Sequence, residues 1–133
     1  MQTPVDHQQL IHDFESGAIS ADSFHHADHV HLAFAYLSEY QVLAALEKFT
    51  DSLKRFAAAH GKPQRYHETI TCAYFFLIRE RMARHGVKDW EEFARLNPDL
   101  LAWKDGILSR YYWEATLRSD LARAVFVFPD RFQ

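Results

Sequence analysis

Apolar residues recur along this chain at the spacing of amphipathic helices. Residues 30–37 carry them at positions i, i+3, i+4 and i+7, and a second helical pattern runs through 42–56 to a Gly-Lys-Pro break at 61–63. The next stretch, 66–85, is apolar almost all round, and it precedes Gly86, a residue type that commonly ends helices. The pattern therefore predicts two amphipathic helices followed by a central apolar helix near 66–85.

Start and stop signals predict further helices on both sides of these three. A Thr-Pro pair and a later glycine bound a first helix near 4–16. Asp89 is placed to cap a short helix, and the Asn-Pro-Asp signal at 97–99 starts another. A last helix is predicted over 111–127. The Phe-Pro-Asp sequence at 128–130 cannot continue it, so we expect an extended tail.

Length and composition support one all-α domain. A chain of 133 residues has the size of a single domain, and 48% hydrophobic composition with 15% aromatic residues is sufficient for one core. Only four Gly and four Pro are present, and runs of alternating β-branched residues are few, so strands are not expected. We predict a single helical domain, 1–133, built as a bundle of five to six helices.

Charge and hydropathy argue against two classes of partner. The formal net charge is −3 and Lys and Arg form no run, which argues against nucleic acid. No apolar run approaches the ~18 residues of a membrane span. The N-terminal sequence MQTPVDHQQL has neither the basic nor the apolar region of a signal peptide, so we expect a cytoplasmic protein. Surplus aromatic residues, including Trp90, Trp103, Tyr112 and Trp113, predict a homodimer.

Histidines cluster at the start of the first long helix. The stretch 24–37, FHHADHVHLAFAYL, holds four of the chain's nine histidines and one aspartate. On a helix, His26 lies one turn before the apolar stripe and His29 lies at its edge, whereas His31 points to the other side and His25 lies on the flank. The register thus predicts that His26 and His29 face inward.

The expected topology brings a third imidazole to the same place. If the three long helices run up, down and up with short turns, the first and the third begin at the same end of the bundle. His67 opens the third helix and shares its inner face with Thr71 and Tyr74. We therefore expect His26, His29 and His67 to converge on one pocket, mainly apolar with a few polar groups, as is usual for small-molecule sites.

Several neighbours are predicted to support these histidines, each with a structural alternative. Asp28 is expected to orient an imidazole, and in an irregular first turn it would cap the helix instead. The threonines of the central helix fit ligand contacts or bonds to preceding carbonyls. Tyr112 fits a substrate contact or a core position, and a buried Arg123 fits a substrate carboxylate or an ion pair with Glu80 or Asp120. The residues predicted to bind substrate are Thr69, Thr71, Tyr74, Tyr112 and Arg123.

Two chemistries fit such a cluster. In the first, His26, His29 and His67 act as acid–base residues on a small anionic or carbonyl-bearing metabolite, by hydrolysis, elimination or isomerisation. In the second, the same three residues bind zinc or another divalent metal, with no help from cysteine because Cys72 stands alone. Two helix N-termini favour an anion over a cation, so the sequence favours a cofactor-free enzyme. A non-catalytic ligand- or metal-binding module is the remaining alternative.

Four phrases in the chain, FHHADHVHLAFAYL, RYHETIT, NPDLL and SDLARAVFVFPD, resemble an uncharacterised family of small all-helical bacterial proteins. The resemblance covers Phe24 to Asp130. It implies an F-x-H-x-D-H motif and a Y-H-x-T-I-T motif, which favour His26 and His29 over His25 and His31 and imply no activity. The matching positions are Phe24, His26, Asp28 and His29 in the first motif, and Tyr66, His67, Thr69, Ile70 and Thr71 in the second.

Overall fold

A computed structural model describes residues 6–132 of the protein. This range contains helices and connecting segments and no strand, so the predicted all-α class is confirmed. It holds eight α-helices rather than five to six, because three of them are one turn long or little more. They are α1 (His7–Glu15), α2 (His26–Glu39), α3 (Val42–Ala59), α4 (Glu68–His85), α5 (Trp90–Leu96), α6 (Pro98–Leu101), α7 (Glu114–Leu117) and α8 (Asp120–Ala124).

The first helix starts later than the sequence signals predicted. Asp6 has extended backbone angles, and its carboxylate accepts hydrogen bonds from the backbone N–H groups of Gln8 and Gln9. A helix cannot run through a residue in that conformation, so α1 begins at His7. The predicted Thr-Pro start at 3–4 lies outside the described residues.

The three long helices α2, α3 and α4 agree with the predicted pattern and contact one another. Helix α2 also contacts α1 and α6, and its residues 32–36 are all buried, so it is the most enclosed helix of the described chain. Helix α4, which we expected to be central, is less enclosed because its Phe76 is 44% exposed. Gly86 ends α4 in a left-handed conformation, as predicted.

The second half of the chain is less regular than predicted. The helix that starts at Pro98 makes a single turn, and the predicted helix over 111–127 is wrong. Ser119 interrupts it, because its Oγ accepts from the N–H of Ala122 and donates to the carbonyl of Thr116. These two bonds end α7 and start α8, and the backbone is extended from Val125 onward.

The extended tail is fixed against the start of α4. The Thr69 hydroxyl donates to the carbonyl of Val125 at 2.8 Å and accepts from the N–H of Val127 at 3.1 Å. The Tyr112 hydroxyl donates to the carbonyl of Val127 at 2.7 Å. The carboxylate of Asp130 accepts from the backbone N–H of Trp113. The tail therefore belongs to the folded structure and holds α8 near the first turn of α4.

The aromatic residues that predicted a homodimer divide into two groups. Tyr112 is buried and Trp90 is half-buried, so the fold itself accounts for both. Trp103 and Trp113 are 62% and 51% exposed. The homodimer stays a prediction that rests on this second pair. Within residues 6–132, no helix combines the length and the apolar character that crossing a membrane requires.

Candidate functional site

A cavity of about 620 Å³ lies where α2 and α4 begin. This volume is within the range of small-molecule sites. Val30, Phe49, Leu53 and Ile78 line it, and each is less than a tenth exposed, so we call these four residues the apolar base. The cavity therefore has an apolar interior formed by three different helices.

Residues predicted from two distant stretches meet at this cavity. The cavity is lined by His26, His29 and His67. His26 begins α2 and His67 directly precedes α4, so the antiparallel pair α2 and α3 separates them along the chain. Thr71 and Tyr74 of α4 line it as well. The predicted up, down, up arrangement thus brings the starts of α2 and α4 together.

His26 keeps one ring nitrogen available. Its Nε2 lies 2.9 Å from the carbonyl oxygen of Leu100, and a carbonyl only accepts, so Nε2 carries the proton and donates. The neutral ring therefore keeps its lone pair on Nδ1. Burial lowers the pKa of His26 and the bond to Leu100 partly opposes that effect. The ring also meets the edge of Tyr74, with centroids 4.7 Å apart.

The carbonyl that holds His26 is itself well supported. Leu100 belongs to α6, and the Arg81 guanidinium of α4 donates to the Asp99 carboxylate of the same short helix at 2.9 and 3.1 Å. It also donates to the Asn97 side chain at 2.7 Å. Arg81 holds the pKa of Asp99 below its usual value, so the carboxylate stays ionised and the pair persists at neutral pH. Helix α4 thereby fixes the position of His26 through α6.

His29 is a neutral imidazole that packs against the ring of Phe24. Its ring lies 4.2 Å from the ring of Phe24, centroid to centroid. The pKa of His29 is lowered from 6.5 to about 4, mainly by burial and also by the charge on a protonated His26, while Asp28 acts in the opposite direction. His29 therefore carries no proton on one ring nitrogen at neutral pH and can accept one.

His67 is committed to the fold through both ring nitrogens. Nδ1 accepts from the N–H of Ile70 at 3.1 Å and so caps α4. Nε2 donates to the carbonyl of Leu117 at 2.7 Å. Burial lowers the pKa of His67, the Leu117 bond opposes this, and the charge of Arg123 lowers the pKa again. The ring is neutral with its proton on Nε2, and neither nitrogen is left for a substrate proton or a metal ion.

The donor geometry does not fit the metal-binding alternative. Across the part of the chain that the structure describes, no three His, Cys, Asp or Glu side chains lie close enough together to hold a metal ion. His26, His29 and His67 therefore do not form the predicted ligand set. One physical reason is that both ring nitrogens of His67 are engaged, Nε2 with the carbonyl of Leu117 and Nδ1 with the N–H of Ile70.

Three predicted site residues lie outside the cavity lining. The Asp28 carboxylate accepts from the backbone N–H of His25 at 2.9 Å and caps α2, as the structural alternative stated. Thr69 and Tyr112 hold the extended tail through the bonds described above. None of the three is placed to touch a molecule in the cavity.

Arg123 differs from its predicted surroundings, and His31 has an aromatic partner that was not predicted. Arg123 is exposed rather than buried, and its Nη1 donates to the carbonyl of Gln64 at 2.7 Å. His31 points away from the cavity as predicted, and its ring stacks on Trp90 with the ring centroids 4.2 Å apart. Burial lowers the pKa of His31 to about 4, with the charge of a protonated His7 adding to the effect.

Sequence reasoning missed two basic residues of the site. Lys62 and Arg65 line the cavity together with Arg123, and all three are exposed. We call these three residues the basic rim. They lie in the turn before α4 and in α8. Their position in the sequence could have indicated them. Lys62 and Arg65 lie in the turn just before His67, and a segment that leads into a site helix often lines the site.

Comparisons with known proteins found no matching family model, no similar curated protein and no similar solved structure.

Proposed function

We propose that this protein is a small-molecule enzyme in which His26 and His29 perform acid–base chemistry on a small anionic or carbonyl-bearing metabolite. One observation carries the proposal: two neutral imidazoles, each with a ring nitrogen able to accept a proton, line a cavity whose base is apolar. A neutral imidazole next to a bound carbonyl compound can remove a proton from the adjacent carbon or activate a water molecule. Elimination, isomerisation and hydrolysis all belong to this proposal.

The chemistry depends on the charge of the bound molecule. His29 is a weak base because burial lowers its pKa to about 4. A bound anion would stabilise the protonated imidazole and raise the pKa of both histidines toward neutrality, where acid–base catalysis is most effective. His67 supports the site by holding the first turn of α4 in position. Asp28 is not placed to orient either catalytic imidazole, so the bond from His26 to Leu100 takes that role.

A second candidate function is non-catalytic binding of the same class of molecule. The observation that favours it is the bonding of His67, which removes one of the three predicted acid–base groups. A binding module needs the cavity and no proton transfer. In both candidates the protein is proposed to be cytoplasmic, to need no metal, and to assemble as a homodimer.

The experiment that separates the two candidates uses two probe reactions. Exchange of the C3 protons of 4-methyl-2-oxopentanoate in D₂O is followed by proton NMR, and hydrolysis of 4-nitrophenyl butyrate is followed by absorbance. We expect the protein to accelerate at least one reaction and His29→Gln to remove the acceleration. The matched control is His12→Gln, because His12 is exposed on α1 and lies outside the cavity lining.

The possible results lead to different conclusions. Equal acceleration by His29→Gln and by His12→Gln would contradict the catalytic role of His29. Binding of 4-methyl-2-oxopentanoate with neither reaction accelerated would favour the non-catalytic module. If neither 4-methyl-2-oxopentanoate nor 4-nitrophenyl butyrate binds, both candidate functions are overturned.

A further inference from the structure

We infer that the cavity takes an organic acid with one orientation: a single carboxylate or phosphate group at the basic rim of Lys62, Arg65 and Arg123, and an apolar body toward the apolar base. This inference names the ligand class and its orientation, and it rests on the proposed small-molecule function.

The basic rim gathers positive charge that the lining does not neutralise. Among the described residues that line the cavity, none is Asp or Glu, while Lys62, Arg65 and Arg123 all carry a positive charge at neutral pH. The whole protein has the opposite sign, with a net charge of −3. A local excess of cations on an acidic protein attracts anions and repels metal ions and amines.

The position of Arg123 is fixed by the fold. Its Nη1 donates to the carbonyl of Gln64 at 2.7 Å, which holds the guanidinium against the 3₁₀ turn Pro63–Arg65. Arg65 ends that same turn, so the two guanidinium groups come from neighbouring segments although they are far apart in sequence. The positive charge of Arg123 also acts on His67, whose pKa it helps to lower. A planar guanidinium suits carboxylate and phosphate oxygens in particular.

The apolar base would reject a charged group. Phe49 and Leu53 are 3% and 6% exposed, and Val30 and Ile78 are 1% exposed each, so a carboxylate among them would lose its water without gaining a hydrogen bond. An aliphatic or aromatic body gains free energy at the same place, about 25 cal/mol for each Å² removed from water. Charge at the exposed end and apolar side chains at the buried end thus define one direction for the ligand.

The first test compares three probes by isothermal titration calorimetry. 4-Phenylbutyrate has both features, 4-phenylbutanamide has the apolar body without the charge, and acetate has the charge without the body. We expect 4-phenylbutyrate to bind about tenfold more tightly than the amide, and acetate to bind more weakly than either. Equal affinities for the acid and the amide would overturn the charged contact. Equal affinities for acetate and 4-phenylbutyrate would overturn the role of the apolar base.

The second test assigns the charged end to the basic rim. Arg65→Gln and Arg123→Gln should each weaken binding of 4-phenylbutyrate about fivefold and leave binding of the amide unchanged. Arg118→Gln is the matched control, since Arg118 precedes α8, is exposed and lies outside the lining. If Arg123→Gln loosens the turn, circular dichroism will detect it, and Arg65→Gln still tests the rim. An effect of Arg118→Gln as large as that of Arg65→Gln would contradict a specific contact.

The third test assigns the apolar end. Ala57 lines the cavity, and its neighbour Ala58 is exposed and does not. Ala57→Trp should fill part of the cavity and weaken binding of both 4-phenylbutyrate and the amide by about tenfold or more, whereas Ala58→Trp should change neither. Unchanged binding in Ala57→Trp would place the apolar body elsewhere and overturn the inference.

Failure of the orientation and failure of the function give different results. Suppose 4-phenylbutyrate binds through Arg65 and Arg123 while neither probe reaction is accelerated: the ligand class stands and the catalytic proposal fails. Suppose instead that exchange of 4-methyl-2-oxopentanoate requires His29 and that Arg65→Gln leaves its KM unchanged: the function stands and the orientation is overturned.

Discussion

The bonding of His67 makes a quantitative prediction about stability. Replacement by Ala removes the cap of α4, which costs about 1 kcal/mol. It also leaves the partly buried carbonyl of Leu117 without its donor, and a polar group that is shielded from water and has no partner costs about 1 to 3 kcal/mol. We therefore expect His67→Ala to lower the free energy of unfolding by about 2 to 4 kcal/mol.

The assay is urea unfolding at neutral pH, followed by far-ultraviolet circular dichroism. With a denaturant dependence of about 2 kcal/mol per M, the unfolding midpoint should fall by about 1 to 2 M. His67→Asn is the informative control, because Asn is a good cap for the N–H of Ile70 but is too short to reach Leu117. It should recover about 1 kcal/mol, which is the part of the loss that the cap accounts for.

The result that would refute this reasoning is a His67→Ala protein within about 0.5 kcal/mol of the unmodified chain, which is the usual size of a surface effect. His67 would then make no net contribution to the fold. Its predicted role as an acid–base residue of the site would gain support in that case, because residues that serve a site often cost stability rather than provide it.

Two further predictions concern pH and the loop after α6. The folded-state pKa of His29 and of His31 is about 4, below the ordinary 6.5, so the unfolded chain binds more protons as the pH falls. The free energy of unfolding should therefore be highest above about pH 6.5 and fall by a few kcal/mol toward pH 4, and a pH-independent value in urea titrations would contradict the burial of these rings. A Cβ at Gly106 would stand 3.0 Å from both the Tyr74 hydroxyl and the Trp103 carbonyl, so Gly106→Ala should cost about 1 to 3 kcal/mol. Thermal unfolding checks this, and an unchanged midpoint would mean that the loop moves aside.

The long helices could be predicted because local signals agree with the packing there. The apolar stripe of α2, the Gly-Lys-Pro break before α4 and the glycine at 86 are readable from neighbouring residues alone. After residue 97, the local sequence signals and the packing do not agree. Its apolar spacing is compatible with a long helix, and the interruption depends on Ser119, a residue type that fits helix ends and surface positions alike.

The location of the candidate site could be predicted from the sequence more easily than the role of each of its residues. Helix register and topology were sufficient to bring His26, His29 and His67 to one cavity. The state of each ring depends on a distant carbonyl, that of Leu100 for His26 and that of Leu117 for His67, and no pattern in the sequence indicates such a bond. The sequence therefore predicts the same role for His26, His29 and His67, whereas the fold gives their rings different hydrogen bonds.

The bonds around the cavity join segments that are remote along the chain: His26 to Leu100, His67 to Leu117 and Gln64 to Arg123. During synthesis, a nascent chain that has emerged only as far as the end of α4 already carries His26, His29 and His67. It lacks the carbonyls of Leu100 and Leu117, which set the tautomers of His26 and His67, and it lacks Arg123 of the basic rim. If the cavity binds the organic acid proposed above, recognition must therefore wait until α8 has left the ribosome, and a fragment that stops at residue 86 should not bind 4-phenylbutyrate.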